Sequence, residues 1–135
     1  MKEGNEMEKI LIALIAIKQA IKQYHWQARD YQKHILADKL EEGLEDYIDE
    51  VAELSVLAQP NDKHLEAKNL LEKASKFLTE KENLQLIDIL ELFGNLQDAI
   101  TTYNDTTEDI GLKDLCGRLS NTLLRKAYLI QIQAK

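Results

Sequence analysis

The chain has one proline, one cysteine and five glycines in 135 residues, and only 6% of it is aromatic. Scarce proline and glycine leave little to interrupt helices, and few aromatic or β-branched runs argue against a sheet. A single cysteine excludes an internal disulfide framework and fits a reducing compartment. No long hydrophobic run occurs: the longest, Ile10 to Ile17, is far too short to span a bilayer. Basic residues are outnumbered, 17 against 24 acidic, for a net charge of −7. That balance disfavours non-specific binding to nucleic acid or anionic membranes. The acidic start KEGNEMEK lacks the basic opening and cleavage site of a secretory signal. The expectation is a non-membrane, cytoplasmic protein with a single domain over residues 1–135.

What is abundant is Leu, Ile, Ala, Glu and Lys, the composition of an all-α protein. A first helix over 6–28 carries Ile10, Leu14, Ile17, Ile21 and Tyr24 on its buried stripe, and ILIALIAI suits a helix covered on more than one side. Arg29 and Asp30 form a hinge, with Asp30 as N-cap. A second helix over 31–58 buries Leu36, Leu40, Leu44, Tyr47 and Val51, with Ile48 and Ser55 beside them. Gln59-Pro60-Asn61-Asp62 breaks the chain. A short helix over 63–78 follows, packing through Ala67, Leu70, Leu71, Ala74 and Phe77. Thr79-Glu80-Lys81-Glu82 has the capping-box form and opens a long helix to Asn104, with Ile87, Leu90, Phe93, Ile100 and Tyr103 buried. After a turn at Asn104–Thr107, a last helix to Gln133 packs through Leu112, Leu115, Leu119, Leu123 and Ile130. Four long helices with a short one between the second and third describe a four-helix bundle with a long crossover.

The stretch Tyr24 to Glu53 carries the chemistry. His34 and Asp38 are four apart, as are Asp49 and Glu53, so each pair shares one helical face. Asp38 and Asp49 are eleven apart, which rotates one pair from the other by only roughly 20°. All four lie on a stripe turned away from the core face. One helix cannot close that stripe round a metal, because eleven residues advance roughly 16 Å and ligands must approach to about 2 Å. The two pairs are, however, symmetric about Gly43 and Leu44. A two-fold contact with an antiparallel second copy would therefore bring Asp38 to Asp49 and His34 to Glu53. Glycine at the crossing would let the two helices approach closely.

Each residue also has a plainer role. An Asp/Glu stripe is ordinarily a solvated face, and Glu41, Glu42, Glu45, Asp46 and Glu50 make this one acidic throughout. His64 reads as an exposed capping residue, Cys116 as a small buried hydrophobe, and Trp26 as core or as a neighbour of the chemistry. Glu-x-x-His, the mark of larger di-iron bundles, is absent, and three histidines are too few for a hemerythrin-like centre.

His25-Trp26, then His34 and Asp38, then Asp49 and Glu53 within IDEVAE, resemble the ferroxidase signature of the Dps (starvation-induced mini-ferritin) family. The helix order extends the likeness along the chain, and Lys126-Ala127-Tyr128 loosely resembles the family's final helix. The resemblance implies a ferritin-like bundle and a homo-oligomer, a dodecameric cage built on two-fold dimers. It further implies that His25, His34 and Asp38 of one subunit join Asp49 and Glu53 of its mate to bind iron. There ferrous iron is oxidised with peroxide and stored in the cage, and the counterpart of Trp26 quenches radicals or donates an electron. Three features differ from the family. The segment between His25 and His34 is shorter and lacks the family's Gly-containing loop. The N-terminal tail is short and nearly without lysine, so DNA binding is not implied. The length of 135 residues is also short for the family, with a compact crossover. Zinc or manganese would suit the same ligands. The rival readings are a non-enzymatic Dps-like helical oligomer that has lost iron chemistry, and a DNA compactor, disfavoured by charge and tail.

Overall fold

The computed structural model describes residues 2–57 and 65–134, with the backbone alone for 2–5 and 134. Among the described residues the chain is all-helical: α1 (Lys2–Gln27), α2 (Tyr31–Glu41), α3 (Leu44–Leu57), α4 (Ala67–Ser75), α5 (Leu86–Thr106) and α6 (Ile110–Ala134). The expected break at Gln59–Asp62 and the capping role of His64 lie outside the described residues.

Helix α1 is the central element. It packs against α5 and α3, and also against α2 and α4, while α6 lies on α5 and α2. The sequence ILIALIAI explains this placement. Ile10, Leu11, Ile12, Ala13, Leu14, Ala16 and Ile17 are all buried, which happens only when neighbours cover several sides of a helix. Each fully buried Ile or Leu contributes about 1.5–3 kcal/mol relative to an exposed one. On α6, Leu115, Leu119, Leu123 and Ile130 are buried as their spacing predicts, with Leu112 partly buried.

Four expectations are corrected. The second helix is not continuous over 31–58: α2 ends at Glu41 and α3 begins at Leu44. Gly43 sits between them at φ +81°, a left-handed conformation that glycine adopts without a Cβ penalty. Nothing lies within 4 Å of where its Cβ would be, so within the chain glycine serves the turn rather than a close approach. Lys126 of α6 secures the break. Its Nζ donates to the Lys39 carbonyl at 2.9 Å and to the Glu42 carbonyl at 2.8 Å, satisfying acceptors that the helix end leaves free. Lys126 is only 6% exposed, and burial lowers its pKa.

The capping box at Thr79–Glu82 does not open the fifth helix, which starts at Leu86. Side chains of α1 take up the intervening backbone instead. Gln23 Nε2 donates to the Lys81 carbonyl at 2.8 Å, Gln27 Nε2 donates to the Glu82 carbonyl, and Gln27 Oε1 accepts from the Leu84 N–H at 2.9 Å. Asp88 then caps the helix, its Oδ2 accepting from the Gln85 N–H at 2.8 Å. With Asp88 turned inward, Ile87 is left 57% exposed, and the buried face runs through Ile89, Leu92, Phe93, Leu96, Ile100 and Tyr103. Of the residues expected to pack from the short helix, only Leu70 and Ala74 of α4 are buried; Ala67 and Leu71, and Phe77 beyond the end of α4, are exposed.

Candidate metal centre

Asp30 builds the site's corner. Its Oδ1 accepts from the Lys33 N–H at 2.8 Å, and its carbonyl accepts from the His34 N–H at 3.1 Å, which starts α2 as the sequence predicts. Residues 28–30 alone separate the end of α1 from the start of α2. The chain therefore doubles back, and His25 in the last turn of α1 meets His34 in the first turns of α2. A short segment between the two histidines is what makes the corner tight.

His25 Nε2 and His34 Nε2 are 2.8 Å apart, with the rings edge to face, centroids 4.0 Å apart and planes at 79°. The opposite nitrogen of His25, Nδ1, is 3.6 Å from Asp38 Oδ1, too long for a hydrogen bond but close enough for a proton on Nδ1 to orient toward the carboxylate. One ligand atom from each of His25, His34 and Asp38 lies within 4.8 Å of the others. Two nitrogens on one ion stand about 3 Å apart, and ligands on opposite sides of it about 4 Å. The three side chains thus fit a divalent ion after a small swing of exposed groups. They have that freedom on one side: the side chain of His25 is 22% exposed, that of Asp38 is 55% exposed, and His34 is exposed.

Below the cluster, Lys18 pairs with Glu45, and Lys22 with Glu41 at 2.9 Å. His25 with Asp38 is the next rung of the same antiparallel ladder between α1 and α2–α3. The ladder positions Asp38, since it fixes the rotation of α2 against α1. Its sequence trace was present in Lys18 and Lys22, four apart, opposite Glu41 and Glu45, four apart. A second set of ties runs down one face of α6: Arg118 to Glu50 at 2.8 Å, Thr122 to the Tyr47 hydroxyl at 3.2 Å, then Lys126 at the α2–α3 break. The Arg118 guanidinium holds the Glu50 carboxyl below its ordinary pKa.

Asp49 and Glu53 are exposed on α3 and do not join the cluster within the chain, where His25, His34 and Asp38 form the one candidate group among the described residues. Trp26, one residue beyond His25, is 73% exposed rather than core. Cys116 is buried, and burial raises its pKa, so its thiol stays protonated. No helix among the described residues is long and apolar enough to cross a membrane. No family model, curated protein or solved structure matches the chain.

Proposed function

We propose that the chain is a Dps-like ferroxidase and iron store with a ferritin-like bundle, and that its sites are shared between two copies related by a two-fold axis. His25, His34 and Asp38 of one copy hold ferrous iron, the substrate, together with Asp49 and Glu53 of the other. The observation that carries the reading is the meeting of His25, His34 and Asp38 across the α1–α2 corner, with one side open to solvent. The break at Glu42–Gly43 supports it further. It lies at the midpoint of the two ligand pairs, and a Cβ at Gly43 would meet no atom of its own chain within 4 Å. All four of His34, Asp38, Asp49 and Glu53 are exposed, whereas Leu36, Leu40, Leu44 and Val51 between them are buried. The packing of α1, α2–α3, α5 and α6, with α4 between the third and fifth helices, is compatible with a bundle that has a crossover.

Neutral imidazoles and carboxylates suit ferrous iron, and the carboxylates favour the ferric product. A proton on His25 Nδ1, turned toward the Asp38 carboxylate 3.6 Å away, would leave Nε2 to face an ion, which would displace the proton shared by the two Nε2 atoms 2.8 Å apart. Two ferrous ions give one electron each to a peroxide; its O–O bond breaks and, with two protons, two waters form. Oxidised iron then passes into the interior of an acidic, dodecameric cage. A second reading rests on the ladder: His25–Asp38 occupies a rung that Lys22–Glu41 fills elsewhere, so the cluster would be a purely structural latch in a helical oligomer.

Stopped-flow absorbance after mixing ferrous iron and peroxide separates the two. The expected outcome is fast oxidation that falls at least about ten-fold in His34→Ala and in Asp38→Ala, since losing a direct ligand costs no less than losing a partner that only orients one. Equal rates in wild type and variants would leave the latch.

A further inference from the structure

The face that must pair across the two-fold axis is strongly acidic. Helices α2 and α3 and the break between them carry eight acidic residues, from Asp38 to Glu53, against Lys33 and Lys39. Glu41, Glu45 and Glu50 are neutralised inside the chain by Lys22, Lys18 and Arg118. Glu42, Asp46, Asp49 and Glu53 are exposed and make no ion pair among the described residues. Bringing two such faces together sets like charges against each other, and it does so twice, since a two-fold contact repeats every pair. Groups at the α1–α2 corner beside that face favour association. Trp26 and Tyr31, 73% and 77% exposed, flank the histidines, and such aromatics are favoured at interface cores. A shallow depression of about 550 Å³ is lined by Asp38 of the cluster with Ile35, Lys39, Glu41 and Glu42. Apolar attraction and acidic repulsion are therefore opposed.

We propose that a divalent cation decides the contest: bound first by His25, His34 and Asp38 of a single chain, it recruits a second copy of the chain through Asp49 and Glu53. The inference rests on the metal-site reading above. Its basis is the division of ligands. Two neutral imidazoles and one carboxylate come together within one chain, so the half-site needs no partner to form. A divalent ion on that set keeps one net positive charge and open coordination positions, and so turns a repelling patch into an attracting one. The unpaired carboxylates Asp49 and Glu53 are the complementary groups, and they are remote from the cluster of their own chain. Assembly is thereby coupled to metal, since an ion that binds the pair more tightly than the single chain must shift the equilibrium toward the pair.

Sedimentation velocity on the full chain, in EDTA and then with excess Co²⁺ as a probe that does not depend on iron oxidation, tests this. Cobalt uptake is followed separately by its visible absorbance. The expected result is uptake accompanied by a shift from single chains to dimers or larger multiples, reversed by EDTA. His34→Ala should take up little cobalt and show no shift. Asp49→Ala with Glu53→Ala should keep half-site uptake and lose the cobalt-dependent shift. Uptake in the wild type with the same mass in EDTA and in cobalt would overturn metal-coupled assembly and leave the metal site intact. Absence of uptake by the wild type would remove both. Circular dichroism of each variant must match the wild type for its result to count, and His34→Gln replaces His34→Ala if it does not.

Discussion

Asp88 and Asp38 are both aspartates next to a cationic or potentially cationic group, yet the surroundings give them opposite duties. Asp88 is buried, with one oxygen on the Gln85 N–H and the other 2.8 Å from Lys81 Nζ. Those bonds, the Lys81 one first, hold its carboxyl below the ordinary pKa. A carboxyl lowered in the folded state stabilises the fold above the ordinary carboxylate range, and that contribution disappears as pH falls through the folded value. Asp88→Asn is expected to cost about 1–2 kcal/mol at neutral pH. The gap to wild type should narrow as pH drops below about 4, which thermal unfolding followed by circular dichroism at the two pH values would reveal. A constant gap would mean that the cap works through shape alone. Asp38, by contrast, keeps most of its carboxylate in solvent beside an imidazole, so it remains free to bind an ion.

At the scale of the element, the break between α2 and α3 decides where the ligands point. Had the helix run on without interruption, its own periodicity would set the angle between the His34/Asp38 pair and the Asp49/Glu53 pair. With a left-handed residue between them, the angle depends on Gly43 and on what α6 contributes through Lys126, Thr122 and Arg118. Gly43→Ala meets no steric obstacle, so its cost is conformational, about 1 kcal/mol from forcing a Cβ into the left-handed region. Urea unfolding should show that loss, with Gly43→Asn losing less because asparagine visits this region more readily. Equal stability of all three would mean that the turn relaxes to a right-handed form. The start of α5 shows the same competition on another element. A sound local signal at Thr79 loses to backbone bonds supplied by Gln23 and Gln27 from a distant helix.

For the whole molecule, a shared site can be tested by complementation. One variant carries His34→Ala and Asp38→Ala, the other Asp49→Ala and Glu53→Ala. Alone, each spoils every two-fold site, and each should oxidise iron slowly. In a mixed pair one site loses all four ligands and the other recovers all four, so co-refolded mixtures should regain peroxide-dependent oxidation, up to one working site per mixed pair. The substituted residues are exposed, and the fold should survive the changes. Verified mixed pairs that stay inactive would show that the two halves of the stripe do not meet, whatever each chain binds by itself.

By itself the sequence determined the helical class, the central burial of the first helix, the Asp30 corner and the exposure of the His34/Asp38 pair and of the Asp49/Glu53 pair, each on its own helix. Each of these follows from local periodicity or from a capping side chain a few residues from its target, interactions whose partners are near in sequence. Tertiary structure decided the rest: the break at Gly43, the late start of α5, and the exposure of Ile87 and Trp26. Those outcomes depend on groups far apart in the chain, such as Lys126 on the end of α2 and Gln27 on Leu84. A buried backbone group takes whichever donor or acceptor the packed neighbour brings to it, and that choice has no local trace in the order of residues.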